Sequence, residues 1–224
     1  MRYYKYKLNT ILLNVYAVIL FLILLAGVIL TFDFQFNRYG LLEILIIIGW
    51  FILHELLHYI GFLCSKGTKT KDLYLGMCIE KGIFYCQCKK KINKKDILIA
   101  LNFPLFIIGF LTLAIGYFIN SSFLVMLSIM NIAGAIGDIV MTIQILRFPK
   151  DIKYFDLDSV DSYYILSKKD LSKIKISGIQ LLETNDYEEN KMTYKDKRKI
   201  VISKVSWIFL LLFILFMVLL LFIE

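Results

Sequence analysis

Five runs of apolar residues, at 8–32, 39–64, 97–119, 123–146 and 205–223, are each long enough to cross a bilayer as a helix, which takes about 20 residues. In lipid the backbone must satisfy its own polar groups, so such runs fold as helices unless they close into a barrel. The hydrophobic share is 59%, against about 45 to 50% in soluble domains. The reading is an all-α polytopic membrane protein with about five transmembrane helices. The first run follows basic residues as a signal peptide would, but it is longer than the roughly 7 to 15 residues of an h-region and lacks a small-residue cleavage site. It is read as a span.

The net charge of +8 invites nucleic acid as a partner, but the placement of the basic residues accounts for it. Arg2, Lys5 and Lys7 precede the first run, nine lysines from Lys66 to Lys95 lie between the second and third, Arg147, Lys150 and Lys153 follow the fourth, and Lys195 to Lys204 with Arg198 precede the fifth. The opposite loops, 33–38 and 120–122, hold one basic residue between them. The positive-inside rule then gives a cell-membrane protein with a cytoplasmic N-terminus and an outside C-terminus. Lipid is the implied partner of the charge, and no nucleic acid is needed. This divides the chain into an N-terminal anchor, 1–38, a core of three membrane helices, 39–148, a cytoplasmic polar segment, 149–200, and a C-terminal anchor, 201–224.

Within the second run stands His54-Glu55-Leu56-Leu57-His58, which contains both histidines of the chain. On a helix, residues 54 and 58 lie one turn apart, so both imidazoles project from one face and can grip a single metal ion with Glu55 beside them. Polar groups at membrane depth cost roughly 2.5 to 3.5 kcal/mol each on insertion scales, so three in register need a compensating partner. Zinc fits the donors, and it lowers the pKa of a bound water to about 7. Glu55 would take that proton and return it to the leaving amine.

The fourth run supplies the third ligand. Asn131, Gly134 and Asp138 share one helix face, and small residues at 133, 134, 135 and 137 allow a neighbouring helix close. By helical rise Asp138 lies about 15 Å above the inner end of its run, and His54 and His58 about 15 and 9 Å above theirs. Two carboxylates, Asp138 and Glu55, then balance the charge of the dication. The alternative is that Asp138 bonds an amide neighbour such as Asn102.

Between 65 and 96, alternating Leu73, Leu75, Met77 and Ile79, the turn Glu80-Lys81-Gly82 and the run 83–88 predict a small cytoplasmic β-hairpin. Its edge could pair with an extended substrate. Cys64, Cys78, Cys86 and Cys88 read as free thiols on a reducing side. Pro104 in the third run frees a backbone carbonyl and kinks its helix. Asp156, Asp158 and Asp161 lack the glycine and glutamate of a calcium loop and read as solvated surface, and 181–197 reads as linker.

The His-Glu-x-x-His helix, Tyr85-Cys86-Gln87-Cys88-Lys89 and Ile132-Ala133-Gly134-Ala135-Ile136-Gly137-Asp138 resemble an uncharacterised bacterial family described as zincin membrane peptidases, over about 40–166. In outline the chain is also similar to the site-2 proteases, which pair that motif with a zinc-binding aspartate on a later helix. The resemblance implies His54, His58 and Asp138 as metal ligands, Glu55 as the catalytic residue and Asn131 as a substrate-backbone contact. It departs from site-2 proteases at Asp138, which is followed by Ile139 and preceded by glycines, and its Cys-x-Cys run has Gln87 where relatives often show histidine. The resulting expectation is a zinc-dependent endopeptidase cutting membrane proteins or peptides within or beside the bilayer. The rival from another class is a catalytically silent metal-binding membrane protein that serves a partner or the fold; a carrier would spread its ionisable residues along a path instead.

Overall fold

The structure, a computed structural model, describes residues 1–33, 41–78, 83–157 and 161–186. Strand β1 (Arg2–Leu8) leads into helix α1 (Thr10–Thr31), whose first turn is capped by Asn9 Oδ1 accepting from the Leu12 amide at 3.1 Å. Helix α2 (Leu41–Leu63) follows, then a hairpin of β2 (Leu73–Cys78) and β3 (Ile83–Cys88), and the short β4 (Ile92–Asn93). Next comes a continuous helical rod made of α3 (Lys94–Pro104), a π-helical segment Leu105–Leu111 and α4 (Thr112–Phe118). Helices α5 (Ser122–Gly134) and α6 (Ile136–Arg147) meet at a 48° bend. Strands β5 (Lys153–Phe155), β6 (Ser162–Ser167) and β7 (Ile179–Asp186) complete the described chain.

Three helices, Thr10–Thr31, Glu43–Leu63 and Lys94–Phe118, are long and apolar enough to cross a membrane, and the bent pair α5–α6 would make a fourth. Their outward faces carry large apolar side chains such as Ile11, Leu30, Ile60 and Phe106, as surfaces in contact with lipid do. Inside, α2 packs on α3, and α1 packs on α5. Glycine brings the first pair close: a Cβ on Gly61 would stand 2.8 Å from the Ala100 Cα, closer than two carbons can approach.

The expected all-α fold is overturned. A five-stranded antiparallel sheet, ordered β4-β5-β6-β1-β7, packs against the end of the helix bundle formed by α3 and α6, and the hairpin forms a second sheet of two strands. The hairpin was expected; the larger sheet was not. Nor are there five spans among the described residues, and the run 205–223 lies outside them. The large sheet draws on segments that composition marked only as charged or polar. In β1 the alternation Tyr4-Lys5-Tyr6-Lys7 puts Tyr4 and Tyr6 fully inward, the period-2 pattern of a strand with one buried face. Tyr6 stacks on Tyr163 and Tyr163 on Tyr154 at 5.6 and 5.7 Å. They join Ile97 of α3 and Met141, Ile145 and Phe148 at the end of α6 in one core. Leu181 to Asp186 is strand rather than linker, and Asp156 and Asp161 are buried rather than solvated.

Candidate metal centre

His54 and His58 stand one turn apart on α2, as their spacing requires, and the bend at Ala135 turns α6 so that Asp138, in its first turn, meets them. The His54 Nε2 atom is 3.0 Å from His58 Nε2, and Asp138 Oδ2 is 3.2 Å from the first and 3.3 Å from the second. These three atoms form a nearly equilateral triangle in a site where the His54, His58 and Asp138 side chains are only 13%, 8% and 19% exposed.

The other ring nitrogens decide what that triangle contains. His58 Nδ1 is 2.8 Å from the Ala100 carbonyl oxygen, which can only accept, so the proton sits on Nδ1. His54 Nδ1 faces Asn131 Oδ1 at 2.8 Å, and the same argument applies. With both rings neutral, as a metal ion requires of its ligands, the two Nε2 atoms present lone pairs, and so does the carboxylate oxygen. Three acceptors aimed at one another repel unless a cation lies among them. Ligands around tetrahedral zinc, at bonds of about 2.0 to 2.1 Å, stand about 3.3 to 3.4 Å apart, close to what is seen. The residues fit zinc by donor chemistry and by spacing. Glu55 also brings an oxygen within 4.8 Å of ligating atoms of both histidines, and its carboxylate lies beside the Cys86 backbone amide.

Each partner has a local origin. Pro104 carries no amide hydrogen, so the carbonyl of Ala100, four residues earlier on α3, lacks its intrahelical donor and is open to His58. The same proline begins the π-helical stretch. Asn131, buried at the last turn of α5, spends its oxygen on His54, and its amide nitrogen is 3.5 Å from the Pro104 carbonyl. Asn102 is not the partner of Asp138; its side-chain amide donates to Leu98 O at 2.8 Å and Thr142 Oγ1 at 2.9 Å.

Of the residues expected at the site, His54, Glu55, His58 and Asp138 converge, and Asn131 joins them through His54. The Ala100 carbonyl and the Cys86 amide were missed. The first was readable, since Pro104 marks the carbonyl it frees; the second depends on where the hairpin docks. Cys64, Cys86 and Cys88 are free thiols. Burial pushes the Cys88 thiol up to about 12 and raises that of Cys86, so both stay protonated and neither is poised as a thiolate ligand.

Residues 44–153 match a protein family described as "Putative zincin peptidase". No curated protein and no solved structure matches the chain.

Proposed function

We propose that the protein, whose residues 44–153 match that zincin peptidase family, is a zinc-dependent endopeptidase that hydrolyses peptide bonds within or next to the membrane. The observation that carries the reading is the triangle of three lone-pair atoms with the Glu55 carboxylate beside it and not within it.

In this reading His54, His58 and Asp138 hold the metal. Zinc bound there supplies a Lewis acid that acidifies water and polarises a carbonyl. Glu55 accepts the proton lost by water as its oxygen adds to the peptide carbonyl carbon, then delivers that proton to the amide nitrogen as the carbon–nitrogen bond breaks. The Cys86 amide steadies the Glu55 carboxylate against rotation. Asn131 and the Ala100 carbonyl fix the tautomer and plane of the two rings, as the partners of metal-bound histidines generally do. We assign Asn131 to this task in place of the substrate contact implied by resemblance.

Action at the membrane is supported by the helices that carry the ligands, since α2 is itself long and apolar enough to span. The large sheet gathers β1, β4 and β5–β7 at one end of the helices. Lysines stand in or beside these strands, at Lys5, Lys7, Lys89 to Lys91, Lys94, Lys95, Lys150, Lys153, Lys168 and Lys169, so the positive-inside rule supports placing the sheet on the cytoplasmic side.

Purified protein in detergent tests the reading: Glu55→Gln should retain metal and lose peptide cleavage, whereas His54→Ala should lose both. Metal loss and unfolding in Glu55→Gln would favour the silent, structural reading.

A further inference from the structure

Asp156 is 3% exposed, and no cation pairs with it among the described residues. A carboxylate in that position is costly to bury, so its contacts need an account. Asp156 Oδ2 accepts from the Cys88 backbone amide at 2.8 Å, and the Asp156 amide donates back to the Cys88 carbonyl at 2.9 Å. Its Oδ1 accepts from the Tyr154 hydroxyl at 2.8 Å. Both backbone groups of Cys88 are thus tied to one residue, the first after strand β5 of the large sheet.

Two residues earlier on β3, the Cys86 amide lies beside the Glu55 carboxylate, on the helix α2 against which β3 packs. Amides two apart point to the same edge of a strand, and here it is the edge that β2 does not cover. One end of that edge is held by Asp156 and the next amide along stands against Glu55. The edge is therefore already engaged at both positions, which removes them from pairing with an added strand.

We propose that Asp156 is a positioning residue, which locks β3 to the large sheet through Cys88 and so fixes the Cys86 amide against the Glu55 carboxylate. Residues 86 and 88 are separated by about 6.6 Å of strand, a short lever with no flexible segment in it. Releasing Cys88 lets the Cys86 amide drift, and Glu55 loses the contact that holds its orientation. This rests on the reading of Glu55 as the proton acceptor.

The test uses the full-length protein in detergent with three variants. Asp156→Ala should lower kcat about tenfold with KM within about twofold, the scale expected when a catalytic group is misplaced by a fraction of an ångström to an ångström. Metal content should not change. Hydrogen exchange at residues 85–88 should quicken, with residues 54–58 unaffected. Asp156→Asn, which keeps an oxygen for the Cys88 amide, should recover most of the turnover, and Tyr154→Phe should leave it near the starting value. Unchanged exchange at 85–88 in Asp156→Ala overturns the proposal, as does quickened exchange with full kcat. Equal losses of turnover, metal and melting temperature in the alanine and asparagine variants also overturn it, because the residue would then serve only the fold. If the unaltered protein cleaves no peptide, the peptidase reading fails by itself, and the exchange arm still decides whether Asp156 holds this strand.

Discussion

His58 and Ala100 are joined across two helices by a 2.8 Å hydrogen bond from imidazole Nδ1 to the backbone carbonyl oxygen, and the bond exists because position 104 is proline. In an ordinary helix that carbonyl would receive the amide of residue 104. The residue that interrupts α3 thereby supplies the acceptor that sets a metal-binding tautomer.

Pro104→Ala restores the competing amide. The rod should hold or gain helical stability, while His58 loses part of its hold and metal affinity falls by up to about tenfold, the lower end for partners of ligating histidines. Competition against a chelator of known affinity measures this. Unchanged affinity would mean that the His58 contact tolerates sharing.

Asn131→Ala leaves the His54 Nδ1 proton buried without its acceptor, which costs about 1 to 3 kcal/mol. Metal affinity should drop about 10- to 100-fold, with Asn131→Asp closer to the unaltered protein because it retains an oxygen. Thermal unfolding with and without added zinc separates the loss of stability from the loss of metal.

Two glycine substitutions should behave oppositely. Gly61→Ala puts a Cβ 2.8 Å from the Ala100 backbone, which must push α2 from α3 at a cost of about 1 to 3 kcal/mol, and it moves the acceptor of His58. Gly134→Ala meets nothing within 4 Å and should be neutral or stabilising by up to about 1 kcal/mol. Paired unfolding curves in one detergent check both.

Burial pushes the Asp156 carboxyl up to about 7, against the lowering effect of its two hydrogen bonds. Because the folded state holds this proton to higher pH than the unfolded chain, its stabilising effect is complete below the unfolded value near 4 and is lost as pH rises through 7. The difference in unfolding free energy between the unaltered protein and Asp156→Asn should therefore fall between about pH 4 and 7. A flat difference across that range would show the carboxyl titrating normally.

The sequence made the residues of the candidate metal site legible because each obeys a local rule. His54 and His58 share a helix face by spacing, and Asp138 was placed by counting helical rise in two runs whose inner ends lie at similar depth. The hairpin announced itself through alternation about a Glu-Lys-Gly turn. The large sheet has no such signature. Its strand β1 pairs with β6 so that Lys7 meets Ser162 and Arg2 meets Ser167, and no short turn connects them to betray the pairing. Around β6, lysines and aspartates suggested solvent, although Ser162–Ser167 is buried throughout. Asp156 and Asp161 were misjudged for the same reason: acids near a membrane exit look wet until the sheet that covers them is known.

The placement of β1 between β6 and β7 also dictates an order of assembly. During synthesis this strand emerges long before either neighbour exists, and helices α1 to α6 have all been made by the time residue 162 appears. The tyrosine-lined ribbon must wait, unpaired, while the bundle above it inserts and packs. The large sheet therefore closes last, and until it does β5 has no completed sheet behind it and β3 only a partial anchor. Nascent protein would carry its histidines and aspartate before it carried a braced Glu55, so hydrolytic competence would arrive only with the final strands.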